Sequence, residues 1–193
     1  MRRTPSGAAV LQPAKTASIT TAVLEELAGS GYGRLAMEAV ARRAGVGKSA
    51  LYRRWPGKPE MVTAALSELS VPAVPTPDTG TLRGDLRVLV EAMHEWLTHP
   101  LIARILPDVS SEAVRNPDLA DALRRTVGDP RRDMARPVFD RAAARGELAV
   151  DVDLALDLVG APLYWRLSVR HVPLTPGYLD DLTDALLRAL SRP

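Results

Sequence analysis

The stretch MEAVARRAGVGKSALYRRWPGK, Met37 to Lys58, decides how the chain is read. Met37, Val40, Ala41 and Ala44 recur at i, i+3, i+4 and i+7, so a first short helix has one apolar face. Gly45 follows at once, a residue free to take the positive φ that ends a helix. Gly47 stands where a second helix needs its N-cap. Val46 before that cap and Leu51 after it are the pair of a hydrophobic staple. Leu51 and Trp55, one turn apart, face inward, and Lys48, Ser49, Tyr52 and Arg53 share the opposite face. A short helix with such a front suits the major groove. Its first turn meets base edges, and an arginine can bond guanine through two N–H groups at once.

The flanks extend this pair into a three-helix unit with a connecting helix. Upstream, Ile19, Val23 and Leu27 form the stripe of a helix over about 16–28, capped by Thr16 or Ser18 and stopped by Gly29 and Gly31. Tyr32 reads as a core wedge. Downstream, Pro56 and Gly57 end the second helix of the pair, and Pro59 suits the first position of a helix over 59–70 carrying Met61, Ala65 and Leu69. Residues 1–14 form a flexible basic arm whose Arg2 and Arg3 could enter a minor groove. Residues 15–70 form the nucleic-acid unit. Pro72, Pro75 and Pro77 make 71–80 a linker, and 81–193 a second domain.

That domain is helical by pattern. A broad stripe runs from Leu82 through Leu86, Leu89, Val90, Met93, Trp96 and Leu97 to His99-Pro100. A short helix through Ile102 and Ile105 is interrupted near Pro107. Asn116 and Pro117 start another as N-cap and first residue. Gly128-Asp129-Pro130 reads as a break, and a helix bent at Pro137 then ends at Gly146. Asp151 or Asp153 caps a helix over 153–170 that is apolar nearly all round. The last helix, about 176–191, carries Leu179, Leu182, Leu186 and Leu190. These last two helices hold more apolar surface than one small bundle can hide. The fold class is therefore all-α, with nine or ten helices.

Charge and composition narrow the function. Residues 1–60 hold 10 Lys and Arg against 4 Asp and Glu, a net of +6, whereas 61–193 carry a net of −4. The basic part coincides with the helix pair, as a nucleic-acid reader requires. With no cysteine there is neither a disulfide nor thiolate chemistry. No apolar run approaches the roughly 18 residues of a membrane span, and the expected location is the bacterial cytoplasm, on the nucleoid when bound. Gly47-Lys48-Ser49 is no phosphate loop, because Arg42 stands where that loop needs glycine. Glu91 and His94 match half of a di-iron helix motif whose second half is missing. No metal, no cofactor and no catalytic set is expected, and a helical enzyme is the rival class.

The run from Ala44 to Lys58 resembles the helix-turn-helix of the tetracycline-repressor (TetR) family of bacterial regulators. The likeness is strong over about 19–69 and persists in layout beyond. It implies that Lys48, Ser49 and Arg53 face bases and that Tyr52, Arg54 and Lys58 hold phosphates. Two positions depart from the pattern, Ala36 and Ala50, where the family often has a hydroxyl residue; they bear on one backbone contact and one base contact. The resemblance further implies a homodimer built from the last two helices, with Leu158, Trp165, Leu182, Leu186 and Leu190 at the interface. It implies a small-molecule effector between the helices of the second domain, near Met93, Trp96, Leu97, Ile105, Met134 and Tyr164. The expected protein is a repressor on a palindromic double-stranded operator, released by an unknown effector. A ligand-independent regulator or an activator is the alternative within the class.

Overall fold

A computed structural model describes residues 13–70 and 76–191; the basic arm expected over 1–14 falls almost wholly outside them. The elements are α1 (Pro13–Arg34), α2 (Met37–Arg43), α3 (Lys48–Arg54), α4 (Lys58–Ser70), α5 (Leu82–Thr98), α6 (Pro100–Ala113), α7 (Pro117–Leu123), α8 (Asp129–Ala144), α9 (Val152–Tyr164) and α10 (Tyr178–Leu190). Wide π-type turns at Arg124–Gly128 and Trp165–Val169 follow α7 and α9. The all-α class is as expected.

Local chemistry fixes the helix pair. Ala44 caps α2 and Gly45 takes φ 66°. The Val46 N–H donates to the Ala41 carbonyl (3.0 Å) and the Gly45 N–H to the Arg42 carbonyl (3.3 Å). That is a Schellman closure, which satisfies two carbonyls a helix end otherwise leaves open. Gly47 in extended conformation starts α3. Leu51 and Trp55 are buried, as the i, i+4 spacing predicts. Asn116 and Asp151 cap α7 and α9 with their side chains, accepting from the Leu119 N–H at 3.1 Å and the Asp153 N–H at 2.8 Å.

Several boundaries differ from the sequence expectation. Thr16 and Ser18 lie inside α1, not at its start. The helix passes Gly29 and breaks only at Gly31 (φ 76°, ψ 168°), beyond which Tyr32 opens a further turn. The cause is tertiary: the Asp108 carboxylate of α6 accepts the Tyr32 N–H at 2.6 Å and so caps that turn from outside. Pro107 does not interrupt α6, although it forfeits one backbone hydrogen bond. Ile102, Ile105 and Val109 on the same helix are buried, and their packing outweighs that loss. Nor does Gly128-Asp129-Pro130 break the chain: a widened turn precedes α8, and helix continues through it.

Two hydrophobic cores organise the described residues. The first joins α1–α4 to α6 and α7: Ile19, Leu51, Met61 and Leu66 share it with Ile102, Ile105, Val109 and Leu119. The helix-turn-helix unit thus does not close on itself; α6 and α7 complete its core. The second core lies among α5, α8, α9 and α10 around Leu86, Phe139, Leu163 and Leu190. Trp96 and Leu106 pack against both. Residues 76–80, the described part of the Pro-rich linker expected over 71–80, form a strap. The Thr76 hydroxyl donates to the Met134 carbonyl (2.9 Å), and Arg141 donates to the Pro77 carbonyl. The buried Asp85 accepts from the Thr79 N–H (2.7 Å) and hydroxyl (2.8 Å), with Arg141 3.5 Å away.

Candidate nucleic-acid interface and inner cavity

The outer face of α3 is built as its sequence suggests. Lys48, Ser49, Tyr52, Arg53 and Arg54 are all exposed, while Leu51 anchors the helix from behind. Arg53 makes no ion pair among the described residues, so its guanidinium is available. The others are engaged differently. Lys48 lies 3.3 Å from the Glu38 carboxylate of α2. That carboxyl is held below its usual range by backbone N–H donation at the start of α2 and by Lys48. Arg54 donates to the Thr16 hydroxyl (3.0 Å) and stacks 5.0 Å above the Trp55 ring. Lys58, at the start of α4, is half-buried. Its ammonium sits 4.3 Å over the Tyr32 ring and donates to the Gly33 carbonyl (3.3 Å), and burial lowers its pKa. Ala36 starts α2 without a side-chain cap.

The second domain contains a cavity of about 80 Å³ between α5, α8 and α9. Leu89, Met93, Met134, Leu156 and Val159 give it an apolar wall, and Arg131 and Arg132 stand on its rim. Met93 and Met134 are where an effector was expected. Trp96 is adjacent, under the Arg131 guanidinium at 4.1 Å. The other candidates lie elsewhere: Leu97 is buried in the second core, Ile105 in the first, and Tyr164 is at the surface. Ile105 misleads because its helix turns towards α1 and α4 instead of the cavity.

Sequence reading missed Arg131. It sits in a run of arginines and alanines on α8, where a basic residue is ordinarily a solvated one. Here burial pushes its pKa down to about 10, which leaves it charged at neutral pH. The interface candidates divide as well. Trp165 is 59% exposed and Leu154 48%, but Leu186 and Leu190 are 5% and 0% exposed within one protomer. The last two therefore belong to the protomer's own second core and do not line an outer face. Leu158 and Leu182 are partly exposed. With Ala161 on α9 and Trp165 in the turn that follows it, and with Ala185 and Ala189 on α10, they continue two small apolar stripes at helical spacing.

Comparison with known proteins agrees with this architecture. Residues 19–65 match the model of bacterial regulatory proteins of the tetR family, and residues 76–186 match the tetracyclin repressor-like C-terminal domain. A DNA-binding transcriptional repressor TetR of Mycobacteroides abscessus is 34% identical over 182 residues, covering 93% of this chain and 95% of the relative. An uncharacterised helix-turn-helix-type transcriptional regulator of Mycobacterium bovis is 36% identical over 180 residues, covering 91% and 86%. The crystal structure of a TetR family transcription regulator superposes with a TM-score of 0.69 at 29% identity, over 92% of this chain and 99% of that one. No helix among the described residues is long and apolar enough to cross a membrane. With both halves matched by their own models, and relatives above 30% identity along nearly the whole length, the chain belongs to the TetR family of DNA-binding transcriptional regulators.

Proposed function

We propose that this regulator is a homodimeric repressor that reads a palindromic operator with α3 and leaves it when a small molecule occupies the cavity between α5, α8 and α9. The observation that carries the reading is the front of α3: Ser49 and Arg53 are exposed, Arg53 makes no ion pair among the described residues, and Lys48 is held there by the exposed Glu38 carboxylate. In the groove Lys48, Ser49 and Arg53 meet base edges, which carry the sequence information. Tyr52, Arg54 and Lys58 meet phosphates, which position the helix. Lys58 must give up its seat on Tyr32 to do so fully, or act on the phosphate from that seat.

The dimer is formed by α9 and α10. Leu154, Leu158, Ala161 and Trp165 give α9 an outward stripe, and exposed apolar side chains grouped on one face mark an interaction surface. A two-fold dimer sets two copies of α3 against half-sites about 34–36 Å apart, one turn of duplex. Residues 71–80 divide the reading unit from the regulatory domain. Sedimentation of the full chain at micromolar concentration tests the assembly. A dimer is expected; a stable monomer, alone and with DNA, overturns it.

A further inference from the structure

The two arginines at the cavity are held differently. Arg132 pairs with Asp157 and Asp153. Arg131 pairs with no carboxylate among the described residues, and the remaining residues contain no Asp or Glu. Its partners are neutral: one guanidinium N–H group donates to the Ser70 carbonyl at the last residue of α4, another approaches the Met93 sulfur at 3.9 Å, and its face lies on Trp96. Among the described residues its Nε is buried without a hydrogen-bond partner, as are the Ser70 hydroxyl and the Trp96 indole Nε1. Each such group has been stripped of water with nothing in return, which is costly, and most so for a charge. The group that satisfies a cationic fork beside an apolar wall is a carboxylate with an apolar body. The fork takes the two oxygens and the wall takes the carbon skeleton.

Geometry also ties this guanidinium to the DNA-reading unit. Ser70 ends α4, and α4 begins at Lys58, directly after the recognition helix. The bond from Arg131 to the Ser70 carbonyl therefore clamps the far end of α4 onto α8. A guanidinium N–H that turns to a carboxylate is lost to that carbonyl.

We propose that the cavity takes a small amphipathic carboxylate with its head on Arg131, and that the head replaces the Ser70 carbonyl there and so frees the C-terminal end of α4. The inference rests on the effector reading above and adds to it the class of ligand and the contact that is switched. A cavity of about 80 Å³ is small; an engineered cavity of about 150 Å³ admits benzene. Entry of the ligand body thus requires Met93 and Met134 to swing aside, and unbranched methionines repack readily. Met93 moves together with Arg131, because it touches it. Filling of the cavity and release of the clamp are one event.

The test uses the full chain with four probes: octanoate and benzoate, and their uncharged counterparts octan-1-ol and benzyl alcohol. Binding is read by calorimetry, and operator affinity by anisotropy of labelled DNA. At least one carboxylate is expected to bind about tenfold more tightly than its alcohol, the scale of one charge-assisted contact, and to weaken the operator by the factor by which the operator weakens it. Arg131→Gln is expected to erase the preference for the carboxylate and to make operator affinity insensitive to it. Arg131→Lys is expected to restore the preference in part. Gly160→Leu, whose Cβ would lie 3.4 Å from the Met93 methyl and whose longer side chain would fill the cavity, is expected to block both members of each pair; thermal melts report whether each variant is folded. Equal binding of alcohol and carboxylate, or a preference that survives Arg131→Gln in a folded variant, overturns the anion site. If the alcohols also release DNA, the effector reading stands without it. Binding of no probe, with operator affinity unmoved, overturns both.

Discussion

At the scale of single residues, Arg53 and Lys58 separate two kinds of work. Arg53 is exposed in the last turn of α3 and makes no ion pair among the described residues. Arg53→Ala is expected to weaken operator binding by about 1–3 kcal/mol and to relax preference at one base position per half-site. Lys58→Ala is expected to weaken all sequences alike and to flatten the salt dependence. Competition titrations at several salt concentrations distinguish the two, and equal loss of discrimination from both contradicts the division. Gly31 makes a second residue-scale claim. Its φ of 76° with ψ of 168° belongs to a region essentially reserved for glycine, and a Cβ there would come within 3.2 Å of the Asp108 carboxylate. Gly31→Ala is expected to destabilise the fold by about 1–3 kcal/mol, read by urea melts. The α2–α3 residues were legible because cap, staple, turn and basic face lie within 22 consecutive positions. Asp108 and Arg131 were not, because the groups they hold lie 76 and 61 residues away.

At the scale of elements, helix existence was legible and helix continuity was not. A proline inside a helix signals a lost bond, but the sequence does not reveal whether packing outweighs it. Pro107, where an interruption was expected, lies inside a continuous helix, because that helix buries residues of the first core; Pro137 and Pro162 lie inside helices that were expected to run through them. The amphipathic pattern of α10 was clear, yet it did not say which neighbour covers the stripe. Leu186 and Leu190 turned out to face the protomer's own core, where α10 packs on α5. This changes the mutational test of the dimer. Trp165→Arg, on the exposed stripe of α9, is expected to dissociate the dimer while the thermal transition of the protomer survives. Leu186→Arg puts a charge into the second core and is expected to unfold the domain. Dissociation without unfolding by Leu186→Arg, or a dimer untouched by Trp165→Arg, contradicts this assignment of faces.

At the scale of the whole molecule, the two cores meet along Trp96 and Leu106, and among the described residues polar ties cross between the reading unit and the rest: Asp108 to the Tyr32 N–H, Arg131 to the Ser70 carbonyl, and the Asn116 side chain to the Tyr32 hydroxyl. The first shares Tyr32 with Lys58 at the start of α4; the second lies at the far end of α4. On the proposed reading, movement of α4 against α8 is passed to α3 and, in the proposed dimer, alters the separation of the two recognition helices. The basic excess of residues 1–60 was visible in composition, and three of those basic residues, Lys48, Arg53 and Arg54, are exposed on α3. The central claim is that this chain reads a two-fold symmetric operator through α3. Selection of bound duplexes from a random pool, run in parallel on the full chain and on Arg53→Ala, measures it most directly. The expected result is an inverted repeat with half-sites about 34–36 Å or a whole multiple of one turn apart, and loss of preference at one symmetric pair of positions in the variant. A pool with no enriched repeat, or an enriched sequence that Arg53→Ala recovers unchanged, contradicts it.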